Sequence, residues 1–232
     1  MTANTNQPIT LVVFDMAGTT VEDSGLVQQS FLAADTYAGL SKTDADREEM
    51  LRYVSDTMGQ SKIVVFRHLA RGNEEQARAA NKEFERCYAQ LVAEGNCSPI
   101  PGVEELIASL RSRGVKTALT TGFAKETQTA IIDALGWQDL ADVVLCPGSG
   151  VRGRPHPDMP LTALMRTETE SVDSMIVVGD TSSDVTSGLR AGARASVGVL
   201  TGAHDTAQLS AAGATHILGS VADLPTLIAS LS

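Results

Sequence analysis

The sequence of 232 residues predicts an α/β protein, with a doubly wound parallel sheet as its core and an all-helical cap domain inserted into that core. An unbroken apolar run from Ile9 ends abruptly at Asp15, which is typical of a strand buried on both faces of a parallel sheet. A long helical block follows. From Val103 onward strands and helices alternate, which favours parallel strands joined by right-handed helical crossovers.

The first predicted strand, residues 9–15, leads into the loop Asp15-Met-Ala-Gly-Thr-Thr. In open α/β sheets ligands bind at the carboxyl ends of strands, and Asp15 lies at such an end. Gly18 can adopt a backbone conformation that exposes N–H groups, and the hydroxyls of Thr19 and Thr20 can supplement them. The loop is therefore suited to holding an anion beside a carboxylate, although an ordinary Asp–Gly turn would explain the same residues.

The helical block carries apolar residues at helical spacing, interrupted by glycines. Its predicted helices are Leu26–Leu40, Asp44–Ser55, Ser61–Ala70 and Glu74–Glu94. A wholly helical block directly after a first strand is better interpreted as an inserted domain than as one crossover connection. We therefore expect a core domain formed by residues 1–20 and 99–232 and a cap domain formed by residues 21–98, with hinges near Val21–Gly25 and Gly95–Gly102.

The alternating part predicts a Rossmann-like succession of elements. The expected helices are Val103–Arg113, Lys125–Leu135, Asp158–Arg166, Asp184–Ala191, Thr206–Ala212 and a closing helix from Val221. The expected strands between them are Val115–Thr120, Asp142–Cys146, Met175–Val178, Ala195–Leu200 and His216–Leu218.

Composition excludes several classes of protein. The apolar fraction of 43% is too high for a disordered chain. The formal net charge of −10 opposes binding to a nucleic acid. Cys87, Cys97 and Cys146 show no metal-ligand spacing and are expected to be free thiols in a reducing cytoplasm. The polar N-terminus and the short apolar run after it predict neither a signal peptide nor a membrane span, so we expect a cytoplasmic protein.

Polar groups of complementary kinds follow three of the predicted strands. Asp15 ends the first, Thr120-Thr121-Gly122 ends the second, and Gly179-Asp180-Thr-Ser-Ser-Asp184 ends a later one, with Arg154 in a loop between the last two. Because parallel strands share one carboxyl edge, these groups are expected to converge. Three carboxylates would repel one another without a hard cation such as Mg²⁺. Asp180–Asp184 also fits a helix N-terminus with Asp180 or Ser183 as the cap, which is compatible with metal binding.

In this order, the motifs resemble those of the haloacid dehalogenase superfamily of hydrolases, across nearly the whole chain. Asp15-Met-Ala-Gly-Thr-Thr, Thr120-Thr-Gly-Phe, Gly153-Arg-Pro-His-Pro and Gly179-Asp-Thr-Ser-Ser-Asp look like the phosphonatase branch of that superfamily, the phosphonoacetaldehyde hydrolases and their relatives. In that branch the basic residue before the acidic motif is Arg rather than Lys, as it is at Arg154.

The resemblance implies covalent phosphoryl chemistry. Asp15 would be the nucleophile that attacks phosphorus and forms an aspartyl phosphate. Mg²⁺ would be held by the Asp15 carboxylate, the Ala17 carbonyl and Asp180, with Asp184 supporting from nearby. The substrate would be a small anionic phosphonate or phosphate.

The same resemblance implies which residues bind the substrate. Thr121 and Arg154 would bind the phosphoryl oxygens, and donors near Gly18 and Thr19 would add to them. Two further expected substrate-binding residues are Met58 and Gly122.

Ala17 stands where most phosphatases of the superfamily place a second aspartate, which protonates the leaving group and later activates water. Without that acid, the leaving group must be stabilised by other means. In the phosphonatase branch a cap lysine forms an imine with the aldehyde, so that carbon leaves as an enamine. Met58-Gly59-Gln-Ser-Lys62 matches the element that supplies this lysine, although most helical lysines are simply solvated.

Other positions depart from the phosphonatase pattern. The histidine expected three residues after the lysine is Val65, and His68 follows one helical turn later. Phe123, Met16 and Gly25 replace a tyrosine, a tryptophan and a cysteine of the branch. These departures leave the phosphoryl chemistry intact and leave the aldehyde specificity open.

Three alternatives remain open. A phosphatase of small esters, such as phosphoglycolate or sugar phosphates, would share the core but normally has an acid at position 17. A haloacid dehalogenase would direct Asp15 against carbon without a metal, which leaves Asp180 and Asp184 unexplained. A non-enzymatic phospho-acceptor module also places an aspartate beside Mg²⁺, but such modules are shorter and lack a helical insert. Cap helices in the superfamily can mediate dimers, so a homodimer is a further expectation.

Overall fold

The computed structural model describes residues 7–231 and contains one six-stranded, all-parallel sheet in this part of the chain. The strands are β1 (Leu11–Asp15), β2 (Lys116–Thr120), β3 (Val143–Leu145), β4 (Met175–Gly179), β5 (Ala195–Val199) and β6 (His216–Leu218). Their order across the sheet is β3-β2-β1-β4-β5-β6. The chain therefore winds outward from β1 in both directions, which confirms the predicted doubly wound fold.

Strand β1 lies at the centre and is buried along its whole length. Its Val13 pairs with Ala118 of β2 on one side and with Val177 of β4 on the other. Successive side chains point to opposite faces, so Val12 and Phe14 join one hydrophobic cluster while Leu11 and Val13 join another. This explains why the β1 sequence is a continuous apolar run rather than an alternating one.

Ten α-helices surround or extend the sheet in the described chain. They are α1 (Leu26–Ala38), α2 (Asp44–Asp56), α3 (Lys62–Leu69), α4 (Glu74–Ala93), α5 (Val103–Ser112), α6 (Lys125–Leu135), α7 (Asp158–Arg166), α8 (Ser182–Ala191), α9 (Thr206–Ala211) and α10 (Leu224–Leu231). The bounds of the predicted elements agree with these within two residues, with one exception. The closing helix predicted from Val221 begins as a separate 3-10 turn, Val221–Asp223, and α10 starts only at Leu224.

The N-cap of α8 is Thr181, so the predicted caps Asp180 and Ser183 are wrong. Thr181 has an extended backbone, and its hydroxyl accepts the N–H of Asp184 at 3.3 Å. The Asp184 carboxylate in turn accepts the Thr181 N–H at 3.1 Å, which completes a capping box. Because Thr181 caps the helix, the carboxylate of Asp180, the residue that follows β4, is available to other partners.

The helical insert, defined here as α1 to α4, lies between β1 and α5. Its helix α4 packs against α1 and α3, and also against α6 of the α/β part. The rings of Phe31, Phe66 and Phe84 pack together at its centre, with centroids 4.8–5.9 Å apart. Burial of these rings stabilises the insert.

Two linkers join the insert to the α/β part and run side by side. The Glu22 N–H donates to the Ser98 carbonyl and the Ile100 N–H donates to the Thr20 carbonyl, both at 2.9 Å. The linkers coincide with the predicted hinges. The division of the chain into two domains at these linkers stays a prediction. Residues 1–6 of the predicted core domain lie outside the described residues.

Two other expectations concern the cysteines and the capacity of the helices to span a membrane. Cys87, Cys97 and Cys146 are free thiols, as predicted. Within residues 7–231 no helix has both the length and the apolar character needed to cross a lipid bilayer.

Candidate active site

A cavity of about 150 Å³ lies between the carboxyl edge of the sheet and the helical insert. The predicted site residues that line it are Asp15, Ala17, Gly18, Met58, Lys62, Thr121, Gly122, Arg154 and Asp180. The two others, Thr19 and Asp184, are buried behind this lining and contact its residues. The structure thus gathers side chains from both ends of the sequence and from the insert at one place.

Three buried carboxylates, those of Asp15, Asp180 and Asp184, each present an oxygen within 4.8 Å of the others. The Arg154 guanidinium connects two of them, with Nη1 2.7 Å from the Asp15 carboxylate and Nε 2.6 Å from that of Asp184. Arg154 also donates to the Thr120 hydroxyl. Arg154 is therefore held on several sides and orients the carboxylate of Asp15.

The three carboxylates of the acidic cluster lie close together and are buried, which disfavours their negative charges. Burial, together with the nearby charges of Asp184 and Asp180, raises the pKa of Asp15 well above its usual range, although Arg154 opposes the shift. Burial and the charge of Asp184 raise the pKa of Asp180 to about 6. A bound cation would oppose both pKa shifts, because a positive charge beside buried carboxylates favours their ionised form.

The donor set fits a hard divalent cation. Among the described residues Arg154 is the only cation that forms an ion pair with any of the three carboxylates, and it pairs with Asp15 and Asp184. The fully ionised cluster therefore keeps two negative charges without a counter-charge. Asp15, Ala17 and Asp180 all line the cavity. Carboxylate and carbonyl oxygens are the ligands that Mg²⁺ prefers. The cluster could hold a metal ion at this position.

The loop after β1 positions these groups rather than offering free donors. The N–H groups of Gly18 and Thr19 donate within the loop, to the carbonyls of Val21 and Met16. The Thr19 hydroxyl donates to Asp180 at 3.0 Å. Gly18 has a φ of +87°, and a Cβ there would lie 2.5 Å from Asp180, so glycine allows the close approach of this carboxylate.

The loop after β5 also holds Asp180, and the sequence did not predict this role. The Ala203 N–H donates to the Asp180 carboxylate at 2.8 Å, and the Thr201 hydroxyl donates to the Gly18 carbonyl at 2.7 Å. Gly202 lies so close to Asp180 that no side chain would fit. The available signal was Thr201-Gly-Ala-His following a buried strand at the same sheet edge.

His204 of this loop connects the α/β part with the insert. Its Nδ1 accepts the N–H of Ser182, at the first turn of α8, at 2.9 Å. The ring hydrogen therefore lies on Nε2, which donates to the Ser55 carbonyl of α2 at 3.1 Å. These two hydrogen bonds give His204 a bridging position beside the site.

Thr121, Gly122 and Arg154 form the part of the cavity suited to an anion. The Thr121 hydroxyl accepts the Phe123 N–H at 3.2 Å, so its own hydrogen is available to donate. At Gly122 a Cβ would lie 2.6 Å from the carbonyl of Gln60, so only glycine allows the insert to approach here. A hydroxyl and a guanidinium at one end of the cavity are the donors that phosphoryl oxygens require.

Lys62 is the first residue of α3 and is buried, with only 5% of its surface exposed. Its Nζ lies over three aromatic rings, 5.6 Å from the centroid of Phe31, 5.7 Å from that of Phe84 and 5.2 Å from that of Phe123. We call these three rings the aromatic cage. They come from the insert and, in the case of Phe123, from the loop after β2, so the cage forms only where the two parts meet.

Burial lowers the pKa of the Lys62 amine, and the charge of Arg154 adds to this effect. The charges of Glu85, Asp23 and Asp15 oppose it. The position at a helix N-terminus also disfavours a positive charge. The balance favours the neutral amine at a lower pH than for an exposed lysine, and the neutral amine is the nucleophilic form.

The structure answers whether His68 replaces the histidine expected at position 65. Val65 is buried in the insert, whereas His68 is exposed and stacks on Tyr53 at a centroid distance of 3.9 Å. His68 lines a separate surface depression between α2 and α3. Neither residue therefore supplies an acid–base group to the cavity.

Phe123, Met16 and Gly25 are the other three residues that differ from the phosphonatase pattern, and the structure shows where each lies. Phe123 contributes its ring to the aromatic cage, and Met16 is fully buried in the core. Gly25 has a φ of +85° and precedes the first residue of α1.

Comparison with protein families gives one match. The haloacid dehalogenase-like hydrolase family matches residues 9–192, which include β1, the entire helical insert and the strands as far as β4.

Phosphonoacetaldehyde hydrolases and a probable phosphatase are among the curated proteins similar to this chain. Phosphonoacetaldehyde hydrolase of Bacillus cereus strain AH187 is 32% identical over 218 residues, covering 85% of this chain and 78% of that protein. Probable phosphatase IndB of Dickeya dadantii strain 3937 is 29% identical over 205 residues, covering 87% and 86%.

Solved structures agree with the fold. A phosphonoacetaldehyde hydrolase-like protein of Oleispira antarctica superimposes with a TM-score of 0.81 at 26% identity, covering 97% of this chain and 93% of the other. A hydrolase from Pseudomonas syringae gives a TM-score of 0.83 at 22% identity, covering 96% and 99%.

Proposed function

This chain belongs to the haloacid dehalogenase-like hydrolases, and we propose that within this family it is a Mg²⁺-dependent phosphonatase acting on phosphonoacetaldehyde or a closely related small phosphonate. The observation that carries the proposal is the shared cavity of Asp15 and Lys62. A small ligand bound in this cavity would contact both the Asp15 carboxylate and the buried Lys62 amine. A phosphate ester needs only the first of these groups, whereas an aldehyde joined to a phosphonate uses both.

Asp15 is the proposed nucleophile. Arg154 holds its carboxylate, and the same guanidinium with the Thr121 hydroxyl binds the phosphoryl oxygens. As a new bond forms between the Asp15 oxygen and phosphorus, the carbon–phosphorus bond breaks and an aspartyl phosphate results. Water then hydrolyses this intermediate and releases inorganic phosphate.

Asp15, Ala17 and Asp180 are the proposed ligands of Mg²⁺, which when bound neutralises the charge of the phosphoryl group and of the acidic cluster. Asp184 supports them through Arg154 and the Thr181 capping box. Thr19 and Gly18 serve to position Asp180.

Lys62 is proposed to activate the leaving carbon. Its amine adds to the aldehyde and forms an iminium ion, which accepts the electron pair of the breaking carbon–phosphorus bond and becomes an enamine. This step removes the need for an acid at position 17, because no alkoxide leaves. Met58 and Gly122 line the same space and limit it to a small substrate.

A second candidate function is a phosphatase of small esters. The similarity to probable phosphatase IndB supports it. Such an enzyme would share the whole phosphoryl site and make no covalent use of Lys62. In either case the substrate is a small anion. The three free thiols fit a reducing compartment, and we propose the cytoplasm.

The test measures release of phosphate and acetaldehyde from phosphonoacetaldehyde with Mg²⁺, beside a panel of small phosphate esters. We expect both products in equal amounts, loss of both in Asp15→Asn and Lys62→Arg, and loss on removal of Mg²⁺ with EDTA. Lys82→Arg, at an exposed lysine of α4, is the matched control and should behave as wild type. Hydrolysis of esters alone, unaffected by Lys62→Arg, would instead establish the phosphatase.

A further inference from the structure

Imine chemistry at Lys62 requires proton transfers that the amine cannot perform alone. The carbinolamine must lose water, and the enamine must gain a proton on carbon before the aldehyde can leave. With Val65 buried and His68 on another surface, the acid–base group must come from elsewhere.

Three carboxyl groups act electrostatically on Lys62, namely Glu85, Asp23 and Asp15. Asp15 is paired with Arg154 and is occupied by the phosphoryl transfer. Glu85 accepts the Ala124 N–H at 3.2 Å and is absent from the described residues that line the cavity. Asp23 differs from both, because it lines the cavity together with Lys62 and is free of an ion pair among the described residues.

Asp23 is also held in a defined place. It lies in the linker between β1 and α1, and its carboxylate accepts the Val27 N–H of α1 at 3.2 Å. Val27 itself lines the same cavity. The charged or titratable groups that interact with Asp23 are Lys62 of α3 and Tyr88 of α4.

We propose that Asp23 is the acid–base group that serves the Lys62 amine, a role that rests on the proposed imine chemistry. Asp23 gives a proton to the carbinolamine hydroxyl, which leaves as water while the iminium ion forms. While the carbon–phosphorus bond breaks, the Asp23 carboxylate regains a proton from solvent water, and protonated Asp23 then donates this proton to the enamine carbon and restores the iminium ion. Its carboxylate then accepts a proton from the water that adds to the iminium carbon, and the amine is released with acetaldehyde.

The environment of the two groups suits this exchange. Burial raises the pKa of Asp23 and lowers the pKa of Lys62, so the proton affinities of acid and amine approach each other. A catalytic acid–base group acts best when its pKa lies near the working pH.

The reaction can be followed without any phosphoryl transfer. Acetaldehyde bound to Lys62 interconverts between iminium and enamine, and each cycle exchanges a methyl hydrogen with solvent. We would incubate each variant with acetaldehyde in D₂O, in a buffer without amines, and measure deuterium incorporation by NMR. Borohydride reduction of parallel samples would report whether the imine forms on Lys62.

Wild type should exchange deuterium and be trapped by borohydride. Asp23→Asn should lose exchange by about 10² or more and be trapped on Lys62 more slowly than wild type, and Asp23→Glu should recover part of both rates. Glu22→Gln, at the exposed neighbouring acid, is the control and should match wild type.

Wild-type exchange in Asp23→Asn would overturn the assignment, as would loss of exchange in Glu85→Gln with Asp23→Asn unaffected. Failure of Asp23→Glu to recover any rate, with both variants folded by circular dichroism, would also contradict it. If wild type is neither trapped nor exchanges deuterium, the imine itself is disproved. That result removes the proposed function and the role of Asp23 together, and it is distinct from a defect confined to Asp23 variants.

Discussion

Asp15 and Lys62 line one cavity, yet the side chains around them differ in polarity. Around Asp15 the neighbours are polar and fixed, with Arg154 at 2.7 Å and a network of hydroxyl and N–H donors that holds Asp180. Around Lys62 the neighbours are aromatic rings, and no ion pair to its Nζ occurs among the described residues. One region surrounds its carboxylates with polar partners, and the other surrounds its amine with aromatic rings.

The difference corresponds to two chemical tasks. A phosphoryl group keeps its negative charge throughout transfer, so it needs donors and cations that are already in place. An amine that adds to an aldehyde must first lose its proton, so it benefits from an apolar surrounding. The α/β part supplies the first region, and the helical insert supplies most of the second.

The largest expected effect comes from removing the nucleophile. Asp15→Asn keeps the shape of the side chain but cannot form the aspartyl phosphate, so turnover should fall by about 10⁴-fold or more for any phosphonate or ester. Steady-state phosphate release measures this. Retention of ester hydrolysis in this variant would show that the phosphoryl region does not depend on Asp15.

The apolar region should impose its own pH dependence. Because burial lowers the pKa of Lys62, the rate of borohydride trapping with acetaldehyde should rise and level off below the pH expected for an exposed lysine. Glu85→Gln removes a charge that raises this pKa, so the midpoint should move to lower pH. A midpoint at the ordinary value of 10.5, or one unmoved by Glu85→Gln, would contradict a desolvated amine.

Much of the phosphoryl region could be predicted from sequence. Asp15, Thr121 and Asp180 each follow a recognisable strand, and the shared carboxyl edge of parallel strands brings them together. The apolar region could not be predicted in the same way. Its rings come from separate helices and a loop, and nothing in local periodicity shows that Phe31 and Phe84 would surround Lys62.

Asp23 and His204 escaped prediction for a related reason. Each lies in a loop, where sequence patterns carry little information about direction, and each meets its partner only across the boundary between the insert and the α/β part. Thr181 was missed as the cap of α8 because several adjacent hydroxyl and carboxyl side chains could serve equally well.

The contrast between the two regions also predicts that burying the charge of Lys62 lowers the stability of the folded protein. The folded pKa of Lys62 is lowered, so the penalty for burying its charge is fully present below that pKa and disappears as the pH rises through the unfolded value. Lys62→Met should therefore raise the unfolding midpoint at neutral pH, by about 2–4 °C for each kcal/mol relieved. Scanning calorimetry measures this, and a lower midpoint than that of wild type would show that the ammonium is well accommodated.

A smaller effect is expected at the boundary between the two regions. His204→Ala removes the hydrogen bond to Ser55 of α2, which is worth about 1 kcal/mol, or roughly five-fold in an equilibrium constant. We expect the loss mainly in KM, since the reacting groups are unchanged. His216→Ala, on the outer strand β6, is the control, and an equal effect there would deny His204 a positioning role.

The most direct test of the central claim is to incubate the Mg²⁺-loaded enzyme with phosphonoacetaldehyde and borohydride and to map the modified peptide by mass spectrometry. We predict loss of activity with one ethyl group on Lys62, and no such adduct in Lys62→Arg. An unmodified Lys62 in an enzyme that still releases phosphate, or an adduct only on exposed lysines such as Lys82, would contradict the claim that the buried amine takes part in the chemistry.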